Sequence, residues 1–392
     1  MKTWLAWTMA LAAATAHPSP LQAETVPETK AAAEYGMEAT GAEGLAYAVI
    51  RDGEIAEVKA LGVRNEKRDP LTPDTVMYGA SLTKTVFAYF ILKLQEQGRL
   101  DLDQTIDTLL PRPLPSYLGF ERTHSRWGDL ADDDRWKSIT PRMLLTHSGG
   151  FRNFFFITPD GEFDPEGTLD IHFDPGTRYF YSGDGFILLQ FVLEQGLDMD
   201  VGEEMRRQVF EPLGMTKSDM MWRDDFAENL ADGFTIEGQS VPHDDRSKVR
   251  AAGSMDTTIS DMAKFAAALA KCEGLSESSC EEFFAPTLPI PTATQFVNLY
   301  APLPEAPAYP DLAAGLGLVV TSGPQGKAIF KGGHNGNTGN TMVCVPEDRD
   351  CIVILSNDVR AEAAFPMIVE SALGDTGVPW KWEYPRLDFV ER

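Results

Sequence analysis

The sequence predicts an α/β fold of the α+β type: a largely antiparallel sheet built from N- and C-terminal strands, flanked by helices and interrupted by an inserted all-helical region. Three observations predict it. Strand patterns cluster at the two ends of the 392-residue chain. Helical periodicity and long Pro/Asp/Gly-rich loops fill the middle. The strands follow one another through tight turns, the connection that antiparallel neighbours use.

The first residues stand apart from the fold. MKTWLAWTMALAAATA has a lysine at position 2, a short apolar run and small residues, the form of a secretory signal peptide with cleavage expected after Ala16 or Ala23. The run is short for a membrane span and no cysteine stands at the cleavage point, so no stable membrane anchor is expected. Residues 24–38 read as a tail leading into a helix. GLAYAVIRDGEIAEVKALGVRN (44–65) reads as two strands joined at Arg51-Asp52-Gly53. Beyond Ser81, Val86, Phe87, Phe90, Ile91 and Leu94 fall on one helical face, with Gly98 as the stop. Shorter helices follow over 138–150, entered through Pro141, and over 185–196, 201–215 and 257–271, the last with Ser260 as its expected cap. Strands return at 312–320, 327–336, 340–347 and 351–358, and a helix is expected over 362–373. The expected division is a signal peptide over 1–23, a sheet domain from 24–80 and 250–392, and a helical region over 81–249 that carries the Ser81 helix.

Composition narrows the function classes. The chain is 43% hydrophobic, enough for a sizeable core, and carries a formal net charge of −25. Such a chain repels nucleic acid and anionic membrane surfaces. The acidic loop TPDGEFDPEG (158–167) lacks calcium-loop spacing, and no CxxC or HExxH suggests zinc, so neither a metal nor a cofactor is expected. The four cysteines form two close pairs, Cys272 with Cys280 and Cys344 with Cys351. Of the three possible pairings the local one is favoured, because the second pair flanks a hairpin turn and an exported chain meets oxidising conditions. Free thiols are the alternative.

Three short motifs bear chemistry. In GASLTKTVFAYF (79–90), Ser81 and Lys84 are spaced to share a helix face. A desolvated lysine there is able to take the serine proton, although the stretch alone favours a capping serine beside a solvated lysine. Tyr181-Ser182-Gly183 offers a phenol, and His334-Asn335-Gly336 offers a histidine on a glycine-rich strand where backbone can approach a ligand closely. His147, in LLTHSGG, reads as a structural loop histidine. His124, His172 and His243 lack partner spacing and read as surface or loop residues. FRNFFF (151–156) reads as core, with a cleft lining as the alternative. No G-x-S-x-G elbow is present.

Taken in order, ASLTKTVFAYFILKLQEQGRLDLD, MLLTHSGGF, PGTRYFYSGDGFILLQ, VFEPLGM, AAGSMDTTISDMAKF, GGHNGNTGN and VILSN resemble the serine β-lactamases and penicillin-binding proteins, nearest to the class C β-lactamases, D-alanyl-D-alanine carboxypeptidases and related carboxylesterases. The resemblance implies that Ser81 is acylated with Lys84 as its partner and that Tyr181 is the general acid/base. His334 then takes the Lys/His place of the third motif, with Asn335 and Gly336 completing the triplet and the Asn337 N–H joining that of Ser81 as oxyanion donor. The family's second motif ends in Asn where this chain has Gly183, a departure that favours ester hydrolysis. The implied protein is an exported, periplasmic or secreted serine hydrolase acting on a small ester, amide or β-lactam, or on a cell-wall peptide. The alternatives are a D,D-carboxypeptidase, a class C-like β-lactamase, or a penicillin-binding sensor with a decayed site.

Overall fold

The N-terminal hairpin and the C-terminal strands form a single sheet. A computed structural model describes residues 25–118, 126–158, 162–297, 299, 302–385 and 387–391; the predicted signal peptide and His124 lie outside these. The sheet has eight strands. Their order is Glu54–Gly62, Gly44–Arg51, Asp350–Ser356, Thr338–Val345, Gly326–Asn335, Val319–Gly323, Ala313–Ala314 and Leu288–Pro289. Every neighbouring pair is antiparallel. The N-terminal strand therefore pairs with the last strand of the chain, Leu45 facing Ser356 and Ile50 facing Cys351.

That interior position, with a strand on each side, explains the unbroken apolar run of Gly44–Arg51. Ala46, Ala48 and Ile50 enter one core cluster while Leu45, Tyr47 and Val49 enter another on the opposite face. Two-residue side-chain alternation puts both sets in use when both faces are covered. The helices Leu82–Glu96 and Ile259–Ala270 cover the first face, and Thr25–Thr40 and Phe365–Leu373 cover the second. The edge strand Glu54–Gly62 is largely exposed and carries Glu54, Glu57 and Lys59, charges that discourage pairing with another chain.

The Leu82–Glu96 helix departs from the one-sided pattern read in its sequence. It is buried on nearly every side, because it is wedged between the sheet and the helical region. Leu82, Val86, Phe87, Phe90 and Ile91 are fully buried. Each contributes about 1.5–3 kcal/mol relative to exposure.

Several boundaries differ from expectation. Thr258, not Ser260, caps the Ile259–Ala270 helix, its hydroxyl accepting from Asp261 N at 3.1 Å. The stretch over 201–215 is a short α-helix, Val201–Met205, continued by a π-helical turn, Arg206–Phe210. The strand expected over 312–320 splits into Ala313–Ala314 and Val319–Gly323, because the chain turns at Gly317, whose φ of +69° suits glycine. The last long helix starts as a 3₁₀ turn, Val359–Ala364, and becomes α-helical at Phe365. The sequence did not disclose the helices Glu277–Phe283 and Trp380–Glu383. Disulfides join Cys272 to Cys280 and Cys344 to Cys351, the second pair directly opposite one another across adjacent strands.

Candidate active site

Ser81 occupies the N-cap position of the Leu82–Glu96 helix, yet its side chain makes no capping hydrogen bond. The turn before it is pinned by the Met77–Tyr78 pairing with Asp256–Thr257 and by Gly79 N donating to Met255 O at 2.9 Å. Ala80 adopts a left-handed φ of +46°, an uncommon conformation for a residue with a side chain. The Ser81 hydroxyl consequently lies 2.8 Å from Tyr181 Oη and 3.1 Å from Lys84 Nζ.

Lys84 is fully buried one helical turn on, and its ammonium also donates to the Ala252 carbonyl. Burial pushes its pKa down and the nearby Lys331 adds to this, against the opposing pull of Tyr181. Tyr181 shows the reverse balance. Burial would raise its phenol, but Lys331, Lys84 and the contact with Ser81 outweigh that and bring it down to about 7. A phenol poised there takes and returns a proton near neutrality.

Tyr181 is delivered by the loop that enters the Gly183–Gly196 helix, where the Ser182 hydroxyl caps Gly185 N at 2.9 Å. His147 holds this loop from beneath. Its Nδ1 accepts from Ser182 N at 3.0 Å, and its ring centroid lies 4.5 Å from that of Tyr181. Burial, reinforced by Lys84 and Lys331, keeps His147 well below the ordinary histidine pKa, so it stays a neutral acceptor. That is a structural role, as its sequence context suggested.

The third motif is arranged differently from the expectation. A Cβ on Gly333 would stand 2.8 Å from Leu82 N and 3.0 Å from Ser81 N, so the strand presses against the Ser81 turn at a place only glycine permits. The cation beside Tyr181 is Lys331, two residues earlier on the strand. It is buried, its Nζ lies 5.1 Å from the Tyr181 ring centroid, and it donates to Gly332 O. The His334 imidazole, placed by sequence in that position, instead sits with Nδ1 3.1 Å from Glu362 Oε1 and packs edge-on against Tyr384. Burial works against its protonated form, but Glu362, Glu383 and Tyr181 outweigh it and raise the pKa.

The expected oxyanion role of the Asn337 N–H also meets a correction. That N–H donates to Asn335 Oδ1 at 2.9 Å in the strand-end turn, and the Asn337 side chain packs beside Gly233. Gly336 faces open space. The backbone of Gly332–His334 is what borders Ser81.

The departure at Gly183 has a local cause. A Cβ there would lie 2.5 Å from Phe154 ring carbons and 2.8 Å from Asn153 O, so the FRNFFF loop fills the space a larger residue would need. Asn153 Oδ1 accepts from Gly183 N at 3.0 Å, and Asp184 Oδ2 accepts from Phe155 N at 2.6 Å. Phe151 belongs to the core, whereas Asn153, Phe154 and Phe156 line the cleft. The cleft has a volume of about 410 Å³ and is also bordered by Ser81, Lys84, Tyr181, Phe296, Lys331, His334 and Glu383. A second, polar cavity of about 510 Å³ adjoins it at Tyr78, Arg250, Gly253 and Asn335.

The other histidines lie apart. His243 lies in a loop, one of the two expected settings, with Nε2 3.0 Å from the buried Asp256 Oδ1, which Arg246 also contacts at 2.8 Å. His172 is lowered to about 4 by burial. Among the described residues no group of His, Cys, Asp or Glu is arranged to hold a metal ion.

The family model described as beta-lactamase matches residues 29–369. The chain belongs to the beta-lactamase family. This is a family of serine hydrolases. A penicillin-binding protein homologue from Pyrococcus abyssi superposes with a TM-score of 0.69 at 22% identity, over 91% of this chain and 79% of that one, which establishes the common fold. Among curated beta-lactamase relatives, the putative penicillin-binding protein PbpX of Bacillus subtilis is 27% identical over 69% of this chain and 66% of its own. The lovastatin esterase of Penicillium rubens is 30% identical over 46% of this chain and 49% of its own. The chain thus spans about half to two thirds of the length of these relatives.

Proposed function

We propose that the protein is an exported, esterase-like serine hydrolase that works through an acyl-enzyme on Ser81. The observation that carries this reading is the position of Ser81 Oγ, within hydrogen-bond reach of both Tyr181 Oη and Lys84 Nζ. In the first step Tyr181 accepts the Ser81 proton as Oγ bonds to the substrate carbonyl carbon. The carbon–leaving-group bond then breaks, and Tyr181 returns the proton to the departing oxygen or nitrogen. Water repeats the sequence in reverse roles: its oxygen bonds to the acyl carbon as its proton goes to Tyr181, the Oγ–carbon bond then breaks to release the acid, and the proton returns to Ser81.

The oxyanion is held by backbone N–H groups of Ser81 and His334. The Gly332 N–H is directed at Glu383, and residues two apart on a strand point their N–H groups the same way, so the His334 N–H faces the cleft. Lys331 keeps Tyr181 ionisable. An esterase preference is supported by Gly183, which supplies no side-chain amide, and by similarity to a relative named an esterase. Export is supported by the leader-like first residues and the two disulfides. No helix among the described residues is long and apolar enough to cross a membrane. The proposed organisation is a sheet domain from 24–80 and 250–392 and a helical region over 81–249, with the cleft where they meet.

A fluorophosphonate probe tests the assignment. It is expected to label the wild type and not Ser81→Ala, and purified protein is expected to hydrolyse p-nitrophenyl butyrate in a Ser81- and Lys84-dependent way. Labelling that persists in Ser81→Ala would overturn it.

A further inference from the structure

We infer that Glu383 is a specificity carboxylate that receives a cationic, N–H-bearing group on the leaving-group side of the substrate. The inference rests on the Ser81 hydrolase reading above. Glu383 ends the short Trp380–Glu383 helix, which the chain brings back against the strand Gly326–Asn335. Its carboxylate fills the space that a side chain at position 332 would take: a Cβ on Gly332 would fall 1.9 Å from Glu383 Oε1. A substrate moving along this strand therefore meets a carboxylate where another residue at 332 would present its own side chain.

The carboxylate is only half used. The Gly332 N–H interacts with it, while Oε2 has no hydrogen-bond partner among the described residues, although Glu383 is 4% exposed and lines the cleft. A buried carboxylate oxygen without a donor is costly, and a ligand donor removes that cost. Burial raises the Glu383 pKa, while Lys331 and His334 favour its ionised form through space without donating a hydrogen bond to it. Lys331 donates to Gly332 O and lies against the Tyr181 ring, and the His334 imidazole is paired with Glu362. Arg250 stands exposed at another part of the cleft lining. Close by, Phe296 is 47% exposed and packs edge-on to Tyr181 with centroids 5.4 Å apart. An aromatic ring beside a carboxylate suits an ammonium group.

The side of the cleft follows from the chemistry. Tyr181 hands its proton to the departing atom, so the leaving group passes along Tyr181, and Phe296 and Lys331 both contact that ring. Glu383 joins them in the cleft lining, next to Lys331. The ligand class is thus an ester or amide whose alcohol or amine portion carries a primary ammonium. A substrate with a carboxylate on that portion is disfavoured.

The test uses the butyrate ester of 4-aminobutanol against pentyl butyrate, which has the same heavy-atom count. Acid release and protection of Ser81 from the fluorophosphonate probe are both measured, so a protein slow on esters still reports. The wild type is expected to favour the amino ester by about tenfold in kcat/KM or in protection, and Glu383→Gln to bring the ratio near unity. The ratio is internal to each protein, so general damage does not move it. Glu383→Asp, which keeps the charge but withdraws it, is expected to lie between and serves if Glu383→Gln does not fold. No preference in the wild type, or a preference that survives Glu383→Gln, overturns the inference while leaving the Ser81 assignment intact. A wild type that the probe does not label at Ser81 removes both.

Discussion

Lys331 and Tyr181 are held face to face at the cleft, the Lys331 ammonium 5.1 Å from the phenol ring centroid, matching the distance of Lys84 from the same ring. The phenol that borders Ser81 thus sits between two buried cations. Its readiness to ionise depends on both, and that dependence leads to the first prediction.

Lys331→Met is expected to lower activity at neutral pH by at least about tenfold, because an unsupported buried phenol reverts towards its protonated form. The acid limb of the kcat/KM profile is expected to move to higher pH. A variant with an unchanged profile would show that Lys331 does not tune Tyr181.

The wild-type profile follows from the sign of the Tyr181 shift. The ionised phenol accepts the Ser81 proton, so activity is low below a pKa of about 7 and rises as pH passes through it. Tyr181→Phe is expected to cost roughly 10²–10⁴ in kcat and to abolish that limb. Measuring kcat/KM from acid to mildly alkaline pH with both proteins checks this.

Gly183→Asn, which restores the family's residue, is expected to harm the protein rather than create a β-lactamase. The added side chain meets Phe154 and Asn153 O and must push the FRNFFF loop outward. Overpacking of this kind costs about 1–3 kcal/mol. Thermal melting and nitrocefin turnover read both parts; a stable variant that hydrolyses nitrocefin would contradict the account.

The His334–Glu362 pair links stability to pH. The folded-state pKa of His334 is raised, so its contribution is complete below the unfolded histidine value of about 6.5 and is lost as pH rises through the higher folded value. The melting temperature of wild type minus that of His334→Gln is therefore expected to shrink as pH rises through the folded value. A difference that grows over that range would reverse the sign.

Reduction of the disulfides is expected to destabilise the fold modestly. Cys272–Cys280 and Cys344–Cys351 close loops with sequence separations of 8 and 7 residues. Such short loops correspond to about 2–3 kcal/mol each in the chain-entropy account. Melting with and without reductant, and in a Cys344→Ala/Cys351→Ala variant, measures it.

Much of the architecture was legible because its signals are local. The apolar run of Gly44–Arg51 with its turn at Asp52-Gly53, the glycine stop after the Ser81 helix and the spacing of Ser81 and Lys84 each follow from a few neighbouring residues. The third motif was not legible in the same way. KGG and HNG lie three residues apart on one strand, and either reads as a cation followed by a glycine at the right interval. Only the approach of Gly333 to Ser81 N separates them, and that contact joins segments far apart in the chain. Glu383 was invisible for the same reason: nothing near WKWEY indicates that the chain returns to the cleft there. His243 lacked any motif because its partner, Asp256, is contributed by a different local segment.

The pairing of Leu45 with Ser356 carries a kinetic consequence. The strand Gly44–Arg51, one in from the sheet edge, cannot acquire its second neighbour until nearly the whole chain has been made. Loop closure over that separation is slow, and the partly made protein presents an unsatisfied strand edge in the meantime. A chain that cannot finish folding during synthesis remains threadable, as the proposed export would require.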